Sequence, residues 1–251
     1  MKKTIDVVNI QKTLSGRPIL KGVTFDVEEG TTTSIVGVSG CGKTTLLRHI
    51  MGLLKPDSGT VYVEGEDIVN AKPARLAKIR EKFGVVFQSA ALLNSLTIEE
   101  NVALPLREHT NLTPGEIRKI VDAKLEMVRL GGFNDYKPAD VSGGMKKRAG
   151  IARAIVRNPK IILYDEPTTG LDPIISNTIN NLIIDLREQL RITSVVITHD
   201  IAGAYIFSDE IVMLHSGEVI AEENPQQFQE EGNPVVRQFL EGTEEGPITS
   251  D

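Results

Sequence analysis

Apolar and polar positions along the chain follow two periods. Short runs rich in β-branched and other apolar residues come first, at Ile5 to Ile10, Val23 to Val27, Thr32 to Val36 and Thr60 to Val63. Turn signals at Ser15-Gly16, Glu29-Gly30 and Gly65 separate them. Further runs, at Val85-Val86-Phe87, Ile161 to Tyr164 and Ser194 to Thr198, read as buried strands. Stretches of helical period lie between them, and strands alternating with helices predict an α/β chain with a mostly parallel sheet and crossover helices. Ile211 to Leu214, Ser216-Gly217 and Glu218 to Ala221 read as a closing hairpin.

The middle of the chain, from about Ser89 to Arg157, holds almost no strand signal and two good helices. The clearer one opens at Thr113-Pro114-Gly115-Glu116, a capping box with proline at the first helical position. Its Ile117, Ile120, Val121, Leu125 and Val128 share one face, and Gly131-Gly132 is expected to end it. A helix of this kind can also lie on a membrane, but Glu116, Asp122 and Glu126 mix with basic residues on the polar face and favour a core-facing role. The other helix opens at Ser142-Gly143-Gly144; it is expected to bury Met145, Ala149, Ala152 and Val156 and to stop at Asn158-Pro159. The pattern thus predicts one domain over 1–222, with an antiparallel N-terminal β part and a helical subdomain at about 89–157 inserted in the α/β core. An extension, 223–251, follows. It is polar except for a cluster at Val235, Val236, Phe239 and Leu240, which can dock on the chain's own core, on a second subunit or on an accessory protein.

Composition narrows this picture. With 251 residues, 40% of them hydrophobic and 25% charged, the chain can bury a real core, and neither disorder nor a fibrous repeat fits. The net charge of −6 argues against general nucleic-acid binding, which neutralises phosphates with a basic surface. The longest apolar runs are far short of the roughly 20 residues that span a bilayer. Met1-Lys2-Lys3 starts like a signal peptide, but Asp6, Asn9, Gln11 and Lys12 break up the region behind it, so the chain is expected to stay in the cytosol. The single cysteine, Cys41, excludes internal disulfides and multi-cysteine metal sites.

Candidate chemistry begins at Gly37-Val38-Ser39-Gly40-Cys41-Gly42-Lys43-Thr44, between the strand ending at Val36 and a helix running through Leu46, Leu47 and Ile50. This is the phosphate-loop pattern in its required strand–loop–helix setting. The glycines let successive N–H groups turn inward on a triphosphate, Lys43 reaches the β/γ-phosphates, and the Thr44 hydroxyl ligates Mg²⁺; Thr45 joins the nucleotide set. Cys41 fills a free position of the loop, as a tolerated small side chain or, without support, as a redox switch. Ile161 to Tyr164 is an apolar strand ending in Asp165-Glu166. Its burial would hold both carboxylates at the sheet's ligand-binding edge, where Asp165 suits the Mg²⁺ shell and Glu166 a base acting on water. These two motifs point to an NTPase of unspecified kind.

Val141-Ser142-Gly143-Gly144-Met145, just upstream, narrows the kind. With it the chain resembles the nucleotide-binding subunit of an ABC transporter over about residues 5 to 222, every motif in order. The resemblance implies two ATPase subunits packed head to tail, with Ser142, Gly143 and Gly144 of one covering the γ-phosphate held by the other's phosphate loop. It also implies that Gln88 touches Mg²⁺ and the attacking water and senses the membrane partner. His199 would contact the γ-phosphate and orient Glu166. Asp172, in Thr169-Gly170-Leu171-Asp172, would meet the opposite phosphate loop, and it also suits an ordinary helix cap before Pro173. The chain departs from the family where Val141 and Met145 replace Leu and Gln. Leu14 stands where an aromatic usually stacks on adenine, and Phe25 is the first aromatic in the chain. Adenine is therefore expected to be held by apolar contact alone or by a residue from elsewhere.

Four stretches resemble the ATPases of MCE-type lipid transporters, the Mla phospholipid system among them: Phe87 to Leu92, Pro105 to Thr110, Ser142 to Ala154 and Val236 to Gly242. This resemblance implies phospholipid cargo, an integral membrane permease, an MCE-type lipid-binding protein, and a peripheral place on the cytoplasmic side of the inner membrane. Ala90, Ala91, Leu92, Leu93 and Leu96 are more apolar than a solvated loop needs and are expected to dock the permease; packing in the chain's own core is the competing reading. The alternatives are the ATPase of an ABC transporter for another substrate, or a soluble non-transport ABC ATPase such as an iron–sulfur scaffold subunit.

Overall fold

The computed structural model describes residues 2–249. In chain order the elements are β1 (Lys3–Leu14), β2 (Arg17–Glu28), β3 (Thr32–Val36), α1 (Lys43–Ile50), β4 (Ser58–Val63), β5 (Glu66–Asp67), α2 (Pro73–Arg80) and β6 (Phe83–Val86). Then come α3 (Ile98–His109), α4 (Pro114–Met127), a 3-10 turn at Pro138–Asp140, α5 (Gly143–Ile155), β7 (Ile161–Asp165), α6 (Pro173–Leu190) and β8 (Thr193–Ile197). The chain closes with α7 (Ile201–Phe207), β9 (Glu210–His215), β10 (Glu218–Glu223), α8 (Pro225–Glu230) and α9 (Pro234–Glu241). They form two compact units: residues up to Arg80 together with those from Thr193 onward, and Glu81–Ile192.

The first unit holds an antiparallel sheet in the order β2-β1-β4-β5. Ser15 and Gly16, both at positive φ, join β1 to β2, the two-residue turn whose twist suits a hairpin. Ile5, Val7, Val23, Phe25, Val27, Val61 and Val63 form its buried face. Its other strands run in the order β10-β9-β3-β8, with β3 parallel to both β8 and β9 and β10 returning antiparallel to β9 as the closing hairpin. Every residue of β3 and β8 is buried, which is why these strands read as continuous rather than alternating runs. The tail docks on this unit's own core: Phe228 and Val236 are fully buried beside Val36, Ala204, Ile211 and Met213, with Val235, Phe239 and Leu240 half-covered around them. Asn224 and Asn233, each before a proline, cap α8 and α9.

In the second unit β6 and β7 pair in parallel, from Phe83 opposite Ile161 to Val86 opposite Tyr164. Helices α3, α4 and α5 pack on one another, burying Val102, Leu106, Val121, Leu125, Ile151 and Ile155. The α4 capping box forms as expected, Thr113 with Glu116. The end of α4 differs from expectation. Arg129 takes the left-handed conformation and Leu130 N–H donates to the Leu125 carbonyl at 2.8 Å, so the helix stops at Met127, before Gly131-Gly132 is reached. The sequence pattern also hides α3, although Thr97 and Glu100 form a second capping box; Pro105 inside the helix disguises it. On α5, Met145 is only half-buried and Lys147 is buried instead. Among the described residues no helix is long and apolar enough to cross a membrane.

Candidate active site

Two segments of the first unit carry candidate residues. Burial of β3 holds Val36 in place, and the phosphate loop leaves the strand's carboxyl end at Gly37. Gly37 has φ 146°, and a Cβ there would stand 2.2 Å from the Leu214 carbonyl oxygen, so no other residue fits this close approach. The Lys43 ammonium lies within the loop it follows, donating to the carbonyls of Gly37 at 2.7 Å and Val38 at 3.0 Å. Gly42, in a left-handed cap, starts α1 without a side-chain bond to its first N–H groups. Those groups and the helix dipole favour an anion. Ser39, Gly40 and Thr44 are exposed, whereas Thr45 is half-buried and Gly42 buried. Cys41 is buried, which pushes its thiol up against the opposing pull of Lys43 and leaves it a packing residue.

Parallel pairing brings a second residue to the same sheet edge. Ile35 lies opposite Ile197, so Gly37 and His199 each follow two residues beyond the last paired position. His199 is exposed. The turn behind it is tied down twice: Asp200 N–H donates to the Thr198 hydroxyl at 2.9 Å, and the Asp200 carboxylate caps α7 by accepting from Gly203 N–H at 3.0 Å. Leu14 ends β1 and is 36% exposed, whereas Phe25 is 2% exposed in the sheet core, where it cannot stack on a base.

The second unit carries the carboxylates. Residues Ile161 to Tyr164 are fully buried, so β7 delivers Asp165 and Glu166 to its carboxyl end, where both are half-buried. Glu166 stands at φ 50° immediately before Pro167, a left-handed conformation whose strain is about 1–3 kcal/mol for a non-glycine residue. Its surroundings hold it there. Lys147 Nζ donates to the Glu166 carbonyl at 3.0 Å, and Thr169 Oγ1 donates to the Glu166 carboxylate at 2.9 Å. Burial pushes the Lys147 ammonium below its ordinary range, against the upward pull of Glu166 and Asp165.

The structure brings Ser142, Gly143 and Gly144 together with the start of α6. Ser142 caps α5 by accepting from Met145 N–H at 3.3 Å. Leu171 covers Gly143, and Ile175 packs so closely on Gly144 that a Cβ there would stand 2.5 Å from it. Asp172 caps α6, accepting from Ile174 and Ile175 N–H, each at 3.0 Å. Gln88, just beyond β6, is exposed. The loop behind it splits the apolar set: Ala90 is buried, Leu92 and Leu96 are half-buried, and Ala91 and Leu93 are exposed, Leu93 at 48%; Phe87, before Gln88, is exposed as well, at 42%. Arg153 donates to the carbonyls of Ala90 and Ala91, and buried Asn101 clasps Leu93 from both sides of its peptide.

Lys147, Arg153 and Asn101 do not stand out in the sequence. Lys147 belongs to the run Lys146-Lys147-Arg148, which looks like a solvated helix face, yet its spacing from Gly144, Ile151 and Ile155 places it on the buried side. Thr44 in the first unit and Asp165 in the second each offer a hard oxygen of the kind Mg²⁺ takes, and among the described residues no three His, Cys, Asp or Glu side chains gather into an all-protein metal cage. An ion held by one or two protein oxygens, with phosphates and water completing its shell, needs no such cage.

Comparison with known proteins shows the family. Residues 20–169 match the protein family described as ABC transporter. The chain is 40% identical over 244 residues, 97% of its own length and 92% of the relative's, to the intermembrane phospholipid transport system ATP-binding protein MlaF of Haemophilus influenzae. It is also 40% identical over 248 residues to the probable ribonucleotide transport ATP-binding protein mkl of Mycobacterium leprae, covering 99% of this chain and 72% of that one. Among solved structures, the dimeric post-hydrolysis state of the ATP-binding cassette MJ0796 bound to ADP and Pi superposes with a TM-score of 0.80 at 38% identity, covering 88% of this chain and 98% of that one. The cbiO1 protein of Clostridium perfringens, part of the ABC transporter complex cbiONQ, gives a TM-score of 0.85 at 31% identity and covers 92% of each chain. The family match runs across both the phosphate loop after β3 and the carboxylates closing β7, and the relatives match nearly end to end: the chain belongs to the ABC transporter family, as an ATP-binding and ATP-hydrolysing subunit.

Proposed function

We propose that this chain powers phospholipid transport between bacterial membranes, as a pair of identical subunits beneath a separate integral membrane permease. The end-to-end match to MlaF carries this reading, covering 97% of this chain and 92% of that relative. The four stretches that resemble MCE-type systems support it, and they add an MCE-type lipid-binding protein and a place on the cytoplasmic side of the inner membrane. A ribonucleotide cargo is the second reading, from a relative equally identical but only 72% covered.

In the mechanism, the N–H groups of the phosphate loop from Gly37 to Thr44, with Lys43 and Thr45, hold the triphosphate and its charge. Thr44 and Asp165 would ligate Mg²⁺, with Gln88 at its shell; when bound, the ion neutralises charge on the phosphates. Glu166 orients the attacking water and takes its proton, and His199 contacts the γ-phosphate and steadies Glu166. Ser142, Gly143 and Gly144 close on the nucleotide of the second subunit through the N-terminus of α5, and Asp172 meets that subunit's phosphate loop. Gln88 and the loop after it pass the closure to the permease.

The test is purification of the Glu166→Gln form from mild-detergent membranes with ATP, followed by identification of proteins and lipids. A multi-pass permease, an MCE-type protein and bound phospholipid are expected. A permease with another binding protein, or with nucleotide cargo, overturns the lipid assignment. Purely soluble partners overturn transport itself.

A further inference from the structure

We propose that Lys147 is a positioning residue for hydrolysis: it sets the main chain of Glu166 so that the carboxylate faces the water it activates. This rests on the reading of Glu166 as the base. A lysine is rarely 6% exposed without a strong local cause. Here Nζ donates to the Glu166 carbonyl at 3.0 Å. Glu166 needs such a hold, because a non-glycine residue at φ 50° ahead of a proline leaves the left-handed region unless its neighbours prevent it. Two residues hold it. Thr169 aims the side chain through its hydroxyl at 2.9 Å and closes the turn with a long N–H contact to the Glu166 carbonyl at 3.4 Å, and Lys147 makes the shorter, charged contact to that same carbonyl at 3.0 Å.

The origin of the lysine gives the contact its direction. Lys147 sits one turn after Gly144 on α5, and Ser142 caps that helix. A displacement of the Ser142-Gly143-Gly144 end is therefore carried by a rigid helix to the main chain of the base. Loss of the ammonium removes the charged hold on the Glu166 carbonyl and leaves the turn to Thr169 alone of these two, without touching the phosphate loop. The defect belongs in turnover, not in nucleotide binding.

Steady-state hydrolysis and equilibrium ATP binding are measured for Lys147→Met, Lys147→Arg, Glu166→Gln and the Lys147→Met/Glu166→Gln double variant in the full chain. Lys147→Met is expected to lower kcat by about ten- to a hundredfold, the scale of a small misplacement of a catalytic group, with ATP affinity within about twofold. Lys147→Arg, which keeps a long cationic donor, restores most of the loss. In the Glu166→Gln background, read by single-turnover hydrolysis of labelled ATP, Lys147→Met costs nothing more. If Lys147→Met does not fold, Lys147→Gln is read the same way. Equal losses in both backgrounds, or loss of ATP binding in step with kcat, overturn the positioning role. So does a Lys147→Met form as active as the unaltered chain while Glu166→Gln is inactive. Full turnover by Glu166→Gln overturns the assignment of the base, and this proposal with it.

Discussion

Arg153 Nη1 donates to the Ala91 carbonyl at 2.6 Å, and its Nη2 donates to the Ala90 carbonyl at 2.7 Å. Both alanines stand in the left-handed conformation, at φ 61° and 47°. One guanidinium on α5 therefore holds the strained turn of the loop behind Gln88. Gly150 on the same helix lets the loop approach, since a Cβ there would already stand 3.2 Å from the Ala90 Cβ. Arg153→Met should lower stability by about 1–3 kcal/mol, mainly the cost of leaving the carbonyl of buried Ala90 unpaired, since Ala91 is exposed and water can take up its carbonyl; the change is measured as a shift in urea midpoint. Arg153→Lys should recover little, because an ammonium on a flexible stem lacks the planar fork that spans two carbonyls. Full recovery by lysine would refute a geometric role for the fork.

Glu210 makes stability depend on pH. Burial pushes its carboxyl up to about 7 from 4.5, and the neighbouring Glu222, Asp26 and Glu28 add to the shift. The folded value exceeds the unfolded one. The stabilisation from protonated Glu210 is thus complete below about 4.5 and is lost as pH rises through about 7. Glu210→Gln imitates the protonated form. It should raise stability at pH 8 by about 1 kcal/mol, discounted for partial exposure, and leave it unchanged at pH 4. Denaturation midpoints at the two pH values decide the matter, and the same gain at both would mean that charge is not the cause.

The motifs were legible because their chemistry is local. The phosphate loop needs two glycines and a Lys-Thr pair at fixed places in eight consecutive residues behind a strand; Gly37 to Gly42 stand between β3 and α1, and Lys43-Thr44 open α1. The carboxyl end of β7 was equally readable, because adjacent carboxylates closing a fully apolar strand suit a ligand-binding sheet edge and little else. What escaped was set by tertiary packing. Lys147 and Arg153 look solvated within a basic helix, and only the crowding of α5 against the Glu166 turn and the loop behind Gln88 makes their donors structural. The end of α4 misled for a related reason. Gly131-Gly132 is the stronger stop signal, but Arg129 accepts a conformation that costs it more, because the Leu130 N–H gains the Leu125 carbonyl. The tail's docking choice was likewise decided by Val36, Ala204, Ile211 and Met213, far from it in sequence.

Ile174 is the large apolar side chain most open to solvent among the described residues, 78% exposed. It sits two residues after Asp172, on the turn whose next residue, Ile175, packs on Gly144. An aliphatic side chain at that exposure contributes almost nothing to the folding of its own chain. Its neighbours, Asp172 and the Ser142-Gly143-Gly144 helix start, are the groups proposed to meet a second subunit. Ile174→Asp should therefore leave the denaturation midpoint within about 0.5 kcal/mol of the unaltered protein. In the Glu166→Gln background it should weaken ATP-driven dimerisation at least about tenfold, since it places an unpaired charge in a closing apolar contact. Sedimentation with and without ATP reads the dimer, and nucleotide binding by the monomer serves as the control. An ATP-loaded dimer of full strength despite the aspartate would put Ile174 outside the subunit interface, and with it the α6 start.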